Sequence, residues 1–530
     1  MKVHDLLKIG ARNFLENRAV VHGDRAIKYR QLLASVEKVA EYLGRLPFDK
    51  DTRIALLYEN SIEYAILFFA IFRAGFVAVP LDTSLRAEKL NFIINDCQAR
   101  MLMIQTKFRR HLDIVIGKNS PLEFILSNKN LNFSHERIRT TVLSDLLGGV
   151  PEEIEIVQPE SDDSEMALDI DRLMGLGDQM SPELAAIFYT SGSTGASKGV
   201  MLSHRNLVSN TVATVKYLEL TGRDAVLVIL PFYYIYGNSL LLTHVLVGGT
   251  LVVDNRFLYP EVVLDTMEKE AVTGFSGVPS NFIILLNKST LAERKFPNLR
   301  YFTQAGGSMA PEIIKKLMSS FPDKQIYIMY GQTEAAPRAS YLPPEKLAEK
   351  LGSIGIPVPG VTLKVVDDNG RELPDGESGE LLIYGNNVML GYWNQPAETA
   401  ETIRDGWLYT GDLARRDEDG FFFITGRKKE IIKTGGNRVS AKEVEECILE
   451  LDKVHEAAVI GIRDDLLGEA IKAVIVLREG MTADKKEIQY HCRTRLSEHK
   501  IPKYIEFMEV MPKYQSGKIN KPLLKEMSNT

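Results

Sequence analysis

The chain has 530 residues, 64 Lys and Arg against 70 Asp and Glu, a formal net charge of −6, and 45% hydrophobic residues. That composition excludes wholesale disorder, a collagen-like repeat and a disulfide-stapled miniprotein, and at about 150 residues per domain the length allows three or four domain-sized units. A slight acidity also argues against a protein built to coat nucleic acid, where a clustered basic excess is expected.

The opening, MKVHDLLKIGARNF, lacks the apolar core of a signal peptide. The most hydrophobic early stretch, Ala65 to Leu81, is broken by Arg73 and Gly75. It falls short of the about 20 apolar residues that a membrane span needs. The expectation is a cytoplasmic protein without stable membrane insertion. Cys97, Cys447 and Cys492 are odd in number and far apart, with no metal-ligand spacing, and read as idle thiols of a reducing compartment.

Along the chain, short β-rich apolar runs alternate with longer helical patterns, the signature of an α/β fold. The runs include Ala185–Thr190, Val226–Leu230, Thr250–Val253 and Ile326–Tyr330. The acidic stretch Pro151–Met180 reads as a solvated, mobile connector. Near Gly426 the pattern changes. Asp419-Gly420 signals a turn, Phe421–Ile424 a strand, and Ser440 with Glu443 a capping box, before Val444, Cys447, Ile448 and Leu451 at helical spacing. From Arg427 onward Lys and Arg outnumber Asp and Glu by 20 to 17, whereas the preceding residues carry 44 against 53. A basic unit attached to an acidic one suits a lid over an anionic ligand.

The strongest local feature is Tyr189–Val200, YTSGSTGASKGV, directly after a strand-like run. Gly192, Gly195 and Gly199 allow close backbone approach, and Thr190, Ser191, Ser193 and Thr194 offer hydroxyls. Successive N–H groups can form an anion nest, and Lys198 adds a flexible point charge suited to a polyphosphate. Gly199 follows that lysine where a Walker A loop needs Ser or Thr, and no GxGxxG fingerprint occurs there.

This loop resembles the phosphate-binding signature of the adenylate-forming superfamily, which includes acyl-CoA synthetases, aryl-CoA ligases, adenylation domains and luciferases. In family order the chain also shows TQAGGSM (Thr303–Met309), YGQTE (Tyr330–Glu334), YTGDLARRDEDGFFFITGRKKEIIKTGG (Tyr409–Gly436) and PKYQSGKI (Pro512–Ile519). The resemblance implies a large, multi-subdomain N-terminal α/β domain (residues 1–426) that binds ATP and the acyl group. It also implies a small, mobile α+β C-terminal lid (427–530), with a hinge near 427–430.

The implied reaction is ATP-dependent activation of a carboxylic acid to acyl-AMP, with pyrophosphate release, then acyl transfer to the thiol of CoA. Both first reactants are anionic, so positioning and charge neutralisation carry the catalysis. By resemblance, Lys198 and the loop hydroxyls hold the β- and γ-phosphates, Thr333 donates to the α-phosphate, and Glu334 binds Mg²⁺, which prefers oxygen ligands. Tyr330 flanks the adenine, and Gly306 and Gly307 admit the adenine and acyl groups. Asp412 accepts both ribose hydroxyls, with Arg427 beside it. Lys518 bridges the carboxylate and α-phosphate in the first half-reaction. Lys433 serves the second, Lys429 stands at the hinge, and Gly435 and Gly436 leave room for a pantetheine arm.

For the acyl group, PFYYIYG (Pro231–Gly237) resembles a family motif in which His is frequent where Tyr234 stands. Tyr233, Tyr234, Gly237, Ser276, Gly277 and Gln304 are the expected pocket walls. Between Pro231 and Thr243 there is no Asp to anchor an α-amino group, and the uncharged walls suit a mainly apolar acyl or aryl chain. The alternative acceptor is a carrier-protein phosphopantetheine. Two other classes are a non-catalytic adenylate-binding module, against which the retained Lys198, Glu334, Asp412, Arg427, Lys433 and Lys518 argue, and a luciferase-like oxygenase.

Overall fold

The structure, a computed structural model, describes residues 1–117, 119–148, 168–191, 197–464, 466–513 and 519–528. Gly192, Ser193, Thr194, Gly195 and Lys518, and most of the acidic connector (151–167), lie outside the described residues, as does the side chain of Ser191. The chain forms two compact units. The first comprises residues 1–349, 357–362 and 383–408, the second 350–356, 363–382 and 409–530.

The first unit is built on two largely parallel sheets. One runs Ser340–Leu342, Gln325–Tyr330, Tyr301–Gln304, Gly274–Gly277, Ala225–Val228, Thr250–Val253, Arg18–His22, Arg25–Lys28. Its outer two strands here are antiparallel to their neighbours and the rest are parallel. The second runs Gly391–Tyr392, Ser197–Ser203, Leu184–Ser191, Val77–Pro80, Arg53–Leu57, Met101–Ile104, Phe124–Ser127, Arg139–Val142. Its inner strands Val77–Pro80, Arg53–Leu57, Met101–Ile104 and Phe124–Ser127 are buried on both faces, hence their continuous apolar sequences. The stretch that resembled a broken membrane span is the helix Ile62–Arg73, a turn at Gly75 (φ +84°) and the strand Val77–Pro80. That helix is buried almost all round, as is Ile235–Val247, so both are core helices. Among the described residues no helix is long and apolar enough to cross a membrane. Asp171, from the acidic stretch, sits on the short helix Ile170–Met174 and pairs with Lys216 at 2.7 Å.

The helix Val3–Asn13 packs on Ile235–Val247 and Ile62–Arg73, and its first N–H, that of Val3, donates to Nδ1 of the buried His204 at 3.1 Å. Burial lowers His204 from 6.5 to about 3, so the ring is neutral in the folded chain. The unfolded chain takes up this proton below about pH 6.5 and the folded chain does not. Its contribution is therefore present above that pH and lost as the pH falls, by about 2 kcal/mol at pH 5. Denaturant titrations at pH 7.5 and 5.0 will show His204→Asn losing less stability than the wild type across this interval. Equal losses would remove His204 as the cause.

In the second unit a sheet runs Asn437–Ser440, Ile431–Thr434, Gly468–Leu477, Val454–Asp464, with Tyr504–Phe507 beside Gly468–Leu477. Helices Ala441–Leu449 and Lys485–Arg493 cover one face, burying Val444, Ile448, Ile488, Cys447 and Cys492. Leu524 of the helix Lys521–Ser528 packs with Met511 on another cluster of this sheet. This is an α+β unit, as the resemblance implied. All three cysteines are buried free thiols, and burial pushes Cys97 and Cys492 up to about 12, so they are inert at neutral pH. Ser440 does precede its helix, but the capping box does not form. The Ser440 hydroxyl donates to the Thr425 carbonyl at 2.6 Å and Glu443 pairs with Lys500 at 2.6 Å. Tertiary partners outcompete the local ones.

Candidate active site

In the first unit, strands Leu184–Ser191 and Ser197–Ser203 flank the glycine-rich loop, and their register sets Thr190 opposite Lys198. Lys198 is only 12% exposed and forms an ion pair with Glu398, from the helix Pro396–Thr402. Its ammonium also lies 5.1 Å from the ring centroid of Tyr392. The Tyr392 hydroxyl donates to Oε1 of Glu334 at 2.9 Å, and the Glu334 carbonyl accepts from the Met389 N–H at 2.9 Å. Burial and the nearby Glu334 carboxylate push the Tyr392 hydroxyl well above its ordinary value, so it remains a donor. Three stretches far apart in sequence thus join the proposed phosphate lysine to the proposed metal carboxylate. Tyr392 and Glu398 carried no sequence signal: one ends a two-residue edge strand and the other sits in the first turn of a short helix.

Thr333 and Glu334 form a short turn after the strand Gln325–Tyr330, with Thr333 buried and Glu334 half-buried. Among the described residues no group of three or more His, Cys, Asp or Glu side chains is placed to hold a metal. One carboxylate with lone pairs to spare is nevertheless the donor set Mg²⁺ uses when substrate phosphates supply the remaining oxygens. Glu334 fits that requirement.

Gln304 ends the strand Tyr301–Gln304 and donates through Nε2 to the Gly307 carbonyl at 2.8 Å. This contact pins the turn at Gly306, where φ is +84°. A Cβ at Gly306 would meet Val278 at 3.0 Å and the Tyr234 hydroxyl at 3.4 Å, so Tyr234 does border the glycine pair. Ser276 donates to or accepts from Thr303 (Oγ to Oγ1 2.7 Å), and the buried Tyr236 hydroxyl reaches the same Thr303 side chain at 2.9 Å. Gly277 is packed between Phe282 and Phe275, and Gly237 abuts the Pro231 carbonyl, where a Cβ would lie at 2.1 Å. Tyr233 is half-buried beside Asp82, which with burial raises its hydroxyl. The ends of parallel strands Gly274–Gly277 and Tyr301–Gln304 therefore converge with Tyr234 and Tyr236, in the position where α/β sheets bind ligands. One residue departs from the uncharged pocket the sequence suggested: the guanidinium of buried Arg338 lies 4.1 Å from the ring centroid of Tyr236.

In the second unit, strands Trp407–Arg416 and Phe422–Arg427 pair antiparallel with Asp412 opposite Arg427. Arg427 Nε donates to Asp412 Oδ1 at 2.7 Å, with the carboxylate buried and the arginine exposed. The Thr410 hydroxyl donates to the Leu381 carbonyl at 2.7 Å and accepts from the Asp412 N–H at 3.0 Å, which locks the Thr410-Gly411-Asp412 turn. Lys429 follows in a short exposed turn. Lys433 is exposed on the strand Ile431–Thr434, which forms a hairpin with Asn437–Ser440. Gly435 and Gly436 make that hairpin turn with φ of +52° and +80°, and nothing lies within 4 Å of a Cβ built on Gly436. Lys521 draws Glu430 and Glu445 together beside this segment.

Lys198 offers one testable consequence already. Glu398 occupies the Lys198 ammonium; if Lys198 is the phosphate lysine that the motif implies, the triphosphate must displace it. A part-exposed pair of this kind is worth up to about 1 kcal/mol, or about fivefold in affinity. Glu398→Gln will lower the KM for ATP by up to about fivefold with kcat little changed. A raised KM would instead make Glu398 a contributor to ATP binding.

Comparison with known proteins gives the family. Residues 7–393 match the model of the AMP-binding enzyme family, and 443–518 match that of the AMP-binding enzyme C-terminal domain. A long-chain-fatty-acid–CoA ligase of Salmonella typhimurium is 32% identical over 524 residues, covering 97% of this chain and 92% of the relative. The crystal structure of the anthranilate CoA ligase AuaEII in complex with anthranoyl-AMP superposes with a TM-score of 0.85 at 25% identity, covering 99% and 97% of the two chains. ATP-bound MatB from Rhodopseudomonas palustris gives 0.83 at 29% identity, covering 99% of both. With both family models matched in order and relatives covered over nearly their whole length, this chain belongs to the AMP-binding enzyme family of adenylate-forming enzymes, and it is an ATP-dependent acyl-CoA ligase that works through acyl-AMP.

Proposed function

We propose that the individual steps of this ligase fall to the residues named from its motifs. Lys198, with Thr190 and the loop through Gly195, neutralises the β- and γ-phosphates while the acid carboxylate attacks the α-phosphorus and pyrophosphate leaves. Thr333 donates to the α-phosphate. Glu334, steadied by Tyr392, holds Mg²⁺, which when bound neutralises phosphate charge. Tyr330, Gly306 and Gly307 border the adenine, and Asp412 with Arg427 binds the ribose. Lys518 serves the first step. In the second, a thiol attacks the acyl carbonyl and AMP leaves, with Lys433 and the open turn at Gly435-Gly436 serving the incoming pantetheine. Lys429 is the hinge between residues 1–426 and a lid of 427–530. The acceptor is CoA rather than a carrier-protein phosphopantetheine, and the compartment is the cytoplasm.

The observation that carries the phosphate chemistry is the connection of Lys198 through Tyr392 to Glu334, a lysine and a metal-binding carboxylate joined by one side chain. A carboxylic-acid panel with ATP, Mg²⁺ and CoA, read by mass spectrometry, tests the whole reading. The expected products are pyrophosphate, acyl-AMP, AMP and acyl-CoA. Adenylate without thioester would move the acceptor to a carrier protein, and no pyrophosphate with any acid would end the catalytic reading.

A further inference from the structure

Arg338 is 3% exposed and follows the Thr333–Glu334 turn by a few residues. Its backbone is held at both ends. Its N–H donates to Asn210 Oδ1 at 3.2 Å, and its carbonyl accepts from Asn210 Nδ2 at 2.7 Å and Asn387 Nδ2 at 3.0 Å. These contacts fix the main chain at Arg338, and the side chain that leaves it is buried.

The guanidinium lies over Tyr236, yet its Nε has no hydrogen-bond acceptor, and no carboxylate among the described residues lies within ion-pairing distance of it. Elsewhere three buried aspartates meet arginines, Asp254 with Arg256, Asp224 with Arg300 and Asp412 with Arg427, and a fourth, Asp464, meets Lys503. Arginine does not lose its proton in proteins, so Arg338 is a buried cation without its counter-charge. The ring of Tyr236 covers one face of the guanidinium plane and the Tyr217 hydroxyl meets the Arg338 side chain as well, but both are neutral and Nε still has no acceptor; a carboxylate supplies the charge and matches the fork.

The position says which anion. Tyr236 bonds Thr303, Thr303 bonds Ser276, and Tyr234, which borders Gly306, feels the Arg338 charge as well. Ser276 and Thr303 lie near the ends of the two parallel strands, and Tyr234 and Tyr236 at the start of the helix Ile235–Val247, where the acyl group is placed above. An apolar chain lying there would cover the guanidinium and leave it unpaired. A carboxylate at the far end of the chain would complete it.

We propose that Arg338 binds a second carboxylate of the substrate, so that this ligase activates short dicarboxylic acids in preference to monocarboxylic acids of the same length. The inference rests on the acid-activating function proposed above and names its substrate class.

The test compares α,ω-dicarboxylates of three to eight carbons with the matching monocarboxylates, by pyrophosphate release from the full-length enzyme. The wild type will favour the diacid at least tenfold in kcat/KM at one or more lengths. Arg338→Met will lower diacid kcat/KM at least a hundredfold while monoacid values stay within threefold, and Arg338→Lys will keep part of the diacid rate. A wild-type preference for monoacids at every length overturns the proposal. So does an equal loss on both classes in Arg338→Met, which would mark a structural role. Should Arg338→Met fail to fold, Arg338→Lys and the wild-type panel decide by the same criteria. Monoacid turnover without diacid preference overturns only this inference, whereas no release with either class overturns the acid-activating reading along with it.

Discussion

Replacing Gly331 by alanine will cut carboxylate-dependent pyrophosphate release by about a hundredfold. A Cβ at this position would lie 1.7 Å from the Pro337 carbonyl oxygen, 2.8 Å from its carbon and 3.1 Å from Arg338 Cα. All three are backbone atoms, so no rotamer change can relieve the overlap. The segment must shift, and it carries Tyr330 on one side and Thr333 and Glu334 on the other. Displacing groups that position a reacting phosphate by about 1 Å costs roughly a hundredfold in rate. The accompanying loss of stability, about 1–3 kcal/mol for overpacking, leaves the enzyme folded and measurable. Gly44→Ala is the control, since nothing lies within 4 Å of its Cβ. If Gly331→Ala works at the wild-type rate, the tight approach of these two segments has no part in positioning the turn.

The second large effect separates the two half-reactions. Lys518→Ala will lower acyl-AMP formation by about a thousandfold, at the upper end of what removal of one preorganised charge or donor costs. The same variant will convert supplied acyl-AMP and CoA to thioester at near the wild-type rate. Lys433→Ala will show the reverse pattern. The two steps place their charge differently: in-line attack of a carboxylate on ATP builds charge at the α-phosphorus, whereas thiolate attack on acyl-AMP builds it at the acyl carbonyl, so one lysine assigned to each step gives this asymmetry. Single-turnover assays of each step, started from acid with ATP or from synthetic acyl-AMP, read the difference. Equal impairment of both steps in both variants would show that the two lysines do not divide the work.

The strands of the first unit were legible because burial on both faces writes itself as uninterrupted apolar sequence, as in Ala225–Val228 and Gln325–Tyr330. The glycine-rich loop was legible because close approach to phosphate demands small residues in one short stretch. Asp412 and Arg427 were named from the motif, and the antiparallel register shows how fifteen residues of separation fold back into one contact. Other parts had no local trace. The box expected of Ser440 and Glu443 lost to Thr425 and Lys500, partners that sequence proximity along the helix cannot reveal. Glu398 and Tyr392 reach Lys198 across about two hundred residues. Arg338 did leave a signal, a single charge within the small and apolar run Ala335–Leu342, outside the segments whose residues suggested uncharged pocket walls.

The pairing of Lys198 with Glu398 also bears on how the enzyme turns over. A resident carboxylate competes with whatever phosphate arrives, and it competes equally with whatever phosphate must depart. A ligand making several contacts to the loop prevails over it. The pyrophosphate left after bond cleavage has lost its covalent tether to the nucleoside, and the carboxylate can reclaim the lysine behind it. With Lys198 on the phosphates as proposed, Glu398 would act as a built-in leaving aid, and the expected result is that the Glu398→Gln enzyme, which binds ATP more tightly, is also the one that pyrophosphate inhibits more strongly.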